Sequence, residues 1–300
     1  MKRLSGFLVL FVISLSWAYA DPGYLKRSDD LSYRDHNKES FDLLESALPS
    51  VSSDQERARI YWRLSRDTLN VADGEKAKGE SSETLLALYK KWESYADQAI
   101  AADPSNPKGY FWKAGNMGRW GQTRGIMVSL SLADPIRKLV TRAAELNPNA
   151  GDPWFVLGQL YDQVPGFPFS FGNVIWAVSL GRKAIDARKA EVAQGVERDV
   201  PYDYYVQLAR HLMKRNWSAA QRSNEQSGEA ARYNSISDVV EKNDYYEGAA
   251  EIPSGSDRDE ARQISRRVIS QLEAKSDRTK KDDTDLKNAR ETLSQVGSGR

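Results

Sequence analysis

The segment QAIAADPSNPKGYFWKAG at 98–115 returns, with few adjustments, as RAAELNPNAGDPWFVLG at 142–158. Ala99 and Ala143 each stand five before Pro104 and Pro148, Tyr110 and Trp154 each six after them, and Gly115 and Gly158 eleven and ten after them. Each copy reads as a helical hairpin. The small Ala lets one helix pack closely, Asp-Pro or Asn-Pro stops it, and an aromatic in the next helix fills the groove. A third, degraded copy runs from Ala177 through Arg182-Lys183-Ala184-Ile185 to Tyr204, Leu208 and Ala209, with Pro201 where a new helix would start. The two prolines lie 44 positions apart, longer than the roughly 34 of a tetratricopeptide repeat. Each repeat therefore carries an insertion: 121–135, read as a short extra helix, and 164–173, VPGFPFSFGN, read as an ordered irregular loop.

Elsewhere, apolar residues recur at three and four positions, as in Phe41, Leu44, Leu48 and Ile60, Leu64, Val71, after a polar lead from Asp21 to about Asp30. Residues 81–102 continue the pattern, with Ser81 or Ser82 as N-cap and a stripe of Leu85, Leu88, Tyr89, Trp92, Ala96, Ala99 and Ile100. Residues 201–232 read as two more helices, the second polar. No run of alternating β-branched residues is present, so the expected fold is all-α: tetratricopeptide-like hairpins stacked as an α-solenoid over 21–252. Beyond a linker at Ile252-Pro253-Ser254-Gly255-Ser256, residues 253–300 form charged helices, with Ile264, Val268, Leu272 and Leu286, Leu293 on apolar stripes. They are expected either to cap the stack or to be mobile.

Residues 1–20 carry Lys2 and Arg3, an apolar run from Phe7 to Leu15, and an A-x-A site at Ala18 and Ala20. That is the pattern of a secretory signal peptide cleaved after Ala20, placing the mature chain in the periplasm or outside the cell with no stable membrane insertion. With no cysteine anywhere, a lipoprotein anchor, disulfides, thiolate zinc sites and a Cys nucleophile are chemically excluded. Only His36 and His211 exist, neither in a recognisable motif, and phosphate-binding glycine loops are missing. No cofactor or metal is expected, and the function is read as non-enzymatic. The 43 cations balance 42 anions, so the chain lacks the clustered positive charge that nucleic acid would attract.

The repeats DPSNPKGYFWKAGNMGRWG and NPNAGDPWFVLGQLYDQVPGFPFSFGN, followed by a helix with Ala177 and Ala184, resemble tetratricopeptide-like proteins grouped around the TRAP transporter T-component. More distantly they are similar to the regulator-of-microtubule-dynamics family, with Pro165, Pro168, Ser170, Gly172 and Asn173 as the loop elements. The resemblance covers roughly residues 85–215. It implies a helical-repeat fold, an exported location in bacteria, and a role in assembling or assisting other proteins. A T-component role would imply homo-oligomers and a periplasmic solute-binding protein as partner.

Two groups of residues are candidates for contact with a protein or peptide partner. Arg119, Trp120 and Arg124 lie around the first insertion, where guanidinium groups can grip carboxylates. Phe167, Phe169 and Phe171 alternate along the second, with Asn173 expected to cap the next helix; Phe plugging of the gap between hairpins is the competing reading. Tyr110 and Trp154 are expected in the core. Besides a partner-binding scaffold gripping on its concave face, two functions stay open: an oligomeric transport accessory binding a small apolar or acidic ligand, and a cell-wall-acting enzyme using two carboxylates.

Overall fold

The computed structural model describes residues 23–298, so the expected signal segment lies outside the described residues. The chain is all-α. Twelve α-helices follow one another among the described residues: α1 (Gly23–Tyr33), α2 (Asn37–Ala47), α3 (Asp54–Ala77), α4 (Ser82–Ala102), α5 (Pro107–Arg124), α6 (Ile126–Leu146), α7 (Gly151–Gln163), α8 (Val174–Ala193), α9 (Tyr202–Arg215), α10 (Ala219–Ser235), α11 (Asp257–Ala274) and α12 (Lys280–Ser298). Short 3-10 segments sit at Leu48–Ser50 and Glu241–Gly248.

The internal duplication is reproduced in conformation. The residues that end α4 and α6, Asp103 (φ −147°, ψ 92°) and Asn147 (φ −145°, ψ 85°), have nearly the same backbone. Each then folds its side chain over the turn, Asp103 Oδ1 accepting from Ser105 N at 3.0 Å and Asn147 Oδ1 from Asn149 N at 3.2 Å. Tyr110 donates its hydroxyl to the Pro104 carbonyl at 3.1 Å, and Trp154 donates Nε1 to the Pro148 carbonyl at 3.0 Å. The repeated aromatic thus closes its own turn as well as filling space; Trp154 is fully buried and Tyr110 half-buried.

Successive helices from α3 to α9 pack antiparallel, so α3, α5, α7 and α9 run the same way and face one another. Polar side chains lace this face: Asn116 to Ser65 at 2.7 Å, Arg119 to Asp73 at 2.9 Å, Lys108 to Asp152 at 3.2 Å, and Lys214 to Asp162 at 3.0 Å. Close approach is built in at Gly151, where a Cβ would lie 2.8 Å from the Ala184 carbonyl. The main apolar core runs from Ala114 through α7–α9 to Val296, taking in Val268, Leu272, Leu286 and Ala289, so α11 and α12 belong to it and pack against α9.

Two expectations are corrected. Residues 121–135 are no extra helix: Gly125, at φ +110°, reverses the chain within one residue, and α6 begins at once, carrying Pro135 on its exposed side. The lead from Asp21 to Asp30 is largely α1. Its Leu25 enters a small core with Leu44, Val51, Ile60 and Leu64, and polar contacts from α1 join it, Ser28 meeting Ser40 and Asp29 meeting Arg63, which an apolar periodicity cannot reveal.

Candidate functional site

Among the described residues, seven large apolar side chains are exposed: Tyr33, Ile126, Met127, Leu130, Phe167, Phe169 and Val196. Five of them come from two places, the first turns of α6 and the loop between α7 and α8. Antiparallel alternation puts the α5–α6 turn and the α7–α8 loop at the same end of the hairpin stack. Both segments leave apolar side chains at that end, with Phe167 93% and Phe169 87% accessible.

The loop holds its tip rigidly. Gly172 N donates to the Pro165 carbonyl at 2.9 Å and Asn173 N to the Tyr161 carbonyl at 2.8 Å, while Phe169 N returns to the Gly166 carbonyl at 3.1 Å. The Phe167–Pro168 bond is cis. Asn173 caps α8, accepting from Ile175 N and Trp176 N at 3.0 and 3.3 Å. Phe171 points the other way. Its ring meets Tyr161 edge-on at 5.6 Å, Tyr161 meets Trp176 edge-on at 5.3 Å, and the Arg137 guanidinium lies 4.7 Å above Phe171. Burial and the nearby Asp244 push the Tyr161 hydroxyl up to about 12, with Arg137 opposing. Burial, joined by Glu241, pushes Asp244 itself up to about 7. One aromatic anchors the loop and two are left outside.

The first candidate group is divided in the same way. Arg119 is a strut between helices, its Nε held by Asp73 on α3 at 2.9 Å. Trp120 is half-buried against Ala72, Leu85 and Tyr89. Arg124 is exposed, 5.5 Å above the Trp120 ring. Phe167, Phe169 and Arg124 are therefore accessible, whereas Trp120 and Phe171 spend their surface on packing. Sequence reasoning missed Ile126, Met127 and Leu130, treating them as part of an insert. The available signal was apolar residues at i, i+1 and i+4 directly after Gly125, because positions i and i+1 point about 100° apart on a helix and cannot share one narrow stripe.

The face shared by α3, α5, α7 and α9 is occupied by its own charges. Asp152 bonds Tyr204 at 2.6 Å, Lys108 at 3.2 Å and also Arg188. Burial alone would raise the Asp152 carboxyl, but Lys108 and Arg188 outweigh it and hold the group well below the usual carboxylate range. Phe155 stacks on Tyr204 at 4.3 Å. Buried His211 faces Asp162 at 3.5 Å. Among the described residues there is no cluster of three or more His, Asp or Glu placed to hold a metal, and no helix long and apolar enough to cross a membrane.

The family model described as regulator of microtubule dynamics protein 1-3 matches residues 24–166. The match begins in α1 and ends in the α7–α8 loop, spanning both repeats and stopping before α8. The chain is similar to that family over this span. No curated protein matches it.

Proposed function

We propose that this chain is an exported, non-enzymatic helical-repeat protein that assembles with a protein partner, and that the partner docks on the apolar end rather than on the face shared by α3, α5, α7 and α9. The carrying observation is that five of the exposed large apolar side chains among the described residues fall on two segments, the first turns of α6 and the α7–α8 loop, the latter held by backbone bonds. Rigid aromatics bury large area at little entropic cost, the usual make-up of an interface centre. On the alternative face, the charged groups already pair with one another, so a partner would have to displace them. Export rests on Lys2, Arg3, the run from Phe7 to Leu15 and the Ala18–Ala20 site. A part in microtubule dynamics, the role in the description of the similar family, is subordinate here because such an address leads away from the cytosol.

The test is site-specific photocrosslinking in the source cell, with the reactive group at position 169 or, as control, at Val196. The expected result is one defined adduct at 169, lost on adding Phe167→Ser and Met127→Ser, and absent at 196. Equal labelling at both positions, or none at 169, would remove the docking surface. A second reading, an accessory to solute transport, is favoured by a separate feature, the cleft bounded by α8, α9 and α11.

A further inference from the structure

Between α8, α9, α11 and the segment at 250–253 lies a cleft of about 330 Å³, at the lower end of the roughly 300–1,000 Å³ common for small-molecule sites. It is independent of the apolar end. One wall is apolar: Ile185, Leu208 and Ile264, whose side chains are otherwise almost wholly buried. The floor is fixed by Arg182, which holds Glu260 through two bonds of 2.7 Å and Glu247 at 2.9 Å. That buried pairing sets the spacing of α8 and α11 and leaves Arg182 with no charge to offer a ligand.

Arg267 supplies the charge. Its guanidinium lies over the Tyr205 ring of α9, 4.5 Å from the ring centre, and among the described residues it has no carboxylate partner. Stacking holds the fork in place without consuming its hydrogen-bond donors. Gln263, one turn earlier on α11, adds an exposed amide at the same rim. Lys189 is present too, but Asp186 takes its ammonium at 3.2 Å. Glu251 stands exposed on the lip, also without an ion-pair partner among the described residues, and disfavours a second negative charge on anything that enters.

We propose that this cleft is a binding site for a small organic monocarboxylate with a short apolar body. The carboxylate is received by Arg267 with help from Gln263, and the body lies along Ile185, Leu208 and Ile264. Partner docking and this site can fail separately, because the cleft residues and the apolar end share no side chain.

Titration of the full chain with 3-phenylpropionate, followed by amide and side-chain NMR shifts, provides the test. Saturable binding is expected, with a Kd on the order of 0.1–1 mM for a ligand this small, and with shifts at Tyr205, Gln263 and Arg267. Arg267→Gln should weaken it about tenfold, the usual scale for losing a charged hydrogen bond, while Arg267→Lys loses less. 3-Phenylpropionamide, without the charge, and phenylmalonate, with a second one, should both bind more weakly. Gln263→Trp, an exposed position, should fill the cleft and abolish binding while the melting temperature stays unchanged. No saturable binding, equal affinity for the amide or phenylmalonate, or an unchanged Kd in Arg267→Gln would overturn the site.

Discussion

The two ends of the chain both tie helices together with charge, and they do so under different conditions. Near the N-terminus Asp29 on α1 receives Arg63 at 2.7 Å and Arg66 at 2.5 Å from α3, with its own side chain 38% exposed. Toward the C-terminus Arg182, Arg215 and Arg222 meet Glu247, Asp257 and Glu260, and every one of these six side chains is 7% exposed or less. Arg215 alone bonds Asp257 at 2.8 and 2.9 Å and also bonds Glu247. These six charges come from α8, α9, α10, α11 and the 3-10 segment. Helix α10 buries only Arg222 and Glu229, with no fully buried apolar residue. In the first region water still reaches Asp29, although Arg66 also bonds the fully buried Asp67 at 2.8 Å; in the second the partners replace it entirely. Charge is therefore an accessory to a small apolar core at one end and the main instruction for assembly at the other.

The largest effect should come from breaking the dry cluster. Arg215→Met keeps much of the volume but strands Glu247 and Asp257, and removing one member of a buried ionic set costs about 3–5 kcal/mol. Urea unfolding measures this, and hydrogen exchange should show α10 and the 3-10 segment opening first. Arg63→Met is the matched change in the wet cluster. Asp29 keeps Arg66 and some water, so the loss should be about 1 kcal/mol. Equal losses for the two variants would show that access to water does not distinguish the regions.

Two carboxyls, Asp29 in the first region and Asp244 beside the second, titrate with opposite signs. Burial alone would raise Asp29, but Arg63 and Arg66 hold it below its ordinary value. Its contribution is present above the unfolded pKa and disappears as pH falls through the lower folded one, so α1 should loosen in acid. Asp244, pushed up to about 7 by burial and Glu241, keeps a proton that the unfolded chain releases near pH 4. Its cost grows as pH rises from about 4 to about 7 and is complete above. Asp244→Asn should accordingly stabilise the protein more at pH 8 than at pH 5, by melting temperature in matched buffers. The same gain at both pH values would mean that Asp244 carries no proton at pH 5.

The regions also differ in how far they could be read from residues alone. The repeats at 98–158 were legible because Pro104 and Pro148, with Tyr110 and Trp154, leave a spacing that repeats, and each of these side chains acts within its own turn. Apolar stripes at Ile264, Val268 and Leu272 likewise marked α11 as a helix with one packed face. The dry cluster left no such trace. Arg182 and Glu260 stand 78 positions apart, and in composition a buried Arg looks the same as a solvated one. For the same reason Arg119 read as a free cation, although Asp73 on another helix holds it. In the loop, alternation suggested one direction for Phe167, Phe169 and Phe171. The chain does not stay extended: Gly172 turns back onto Pro165, so Phe171 is drawn inward while the other two face water.

That loop gives the smallest expected change in stability. Phe167→Ser with Phe169→Ser removes two rings that already face solvent, so no buried surface is lost and no hydrogen bond depends on either side chain. Substitutions of this kind usually stay within about 0.5 kcal/mol. The double variant should unfold at the wild-type urea midpoint, with α10 and α1 exchanging as before. A clear loss of stability would mean the tip packs against the molecule in solution, and the apolar end would then be structural rather than a docking surface. An unchanged midpoint here, together with a crosslink from position 169 that is lost on adding Phe167→Ser and Met127→Ser, would separate the residues that hold the fold from those that meet a partner.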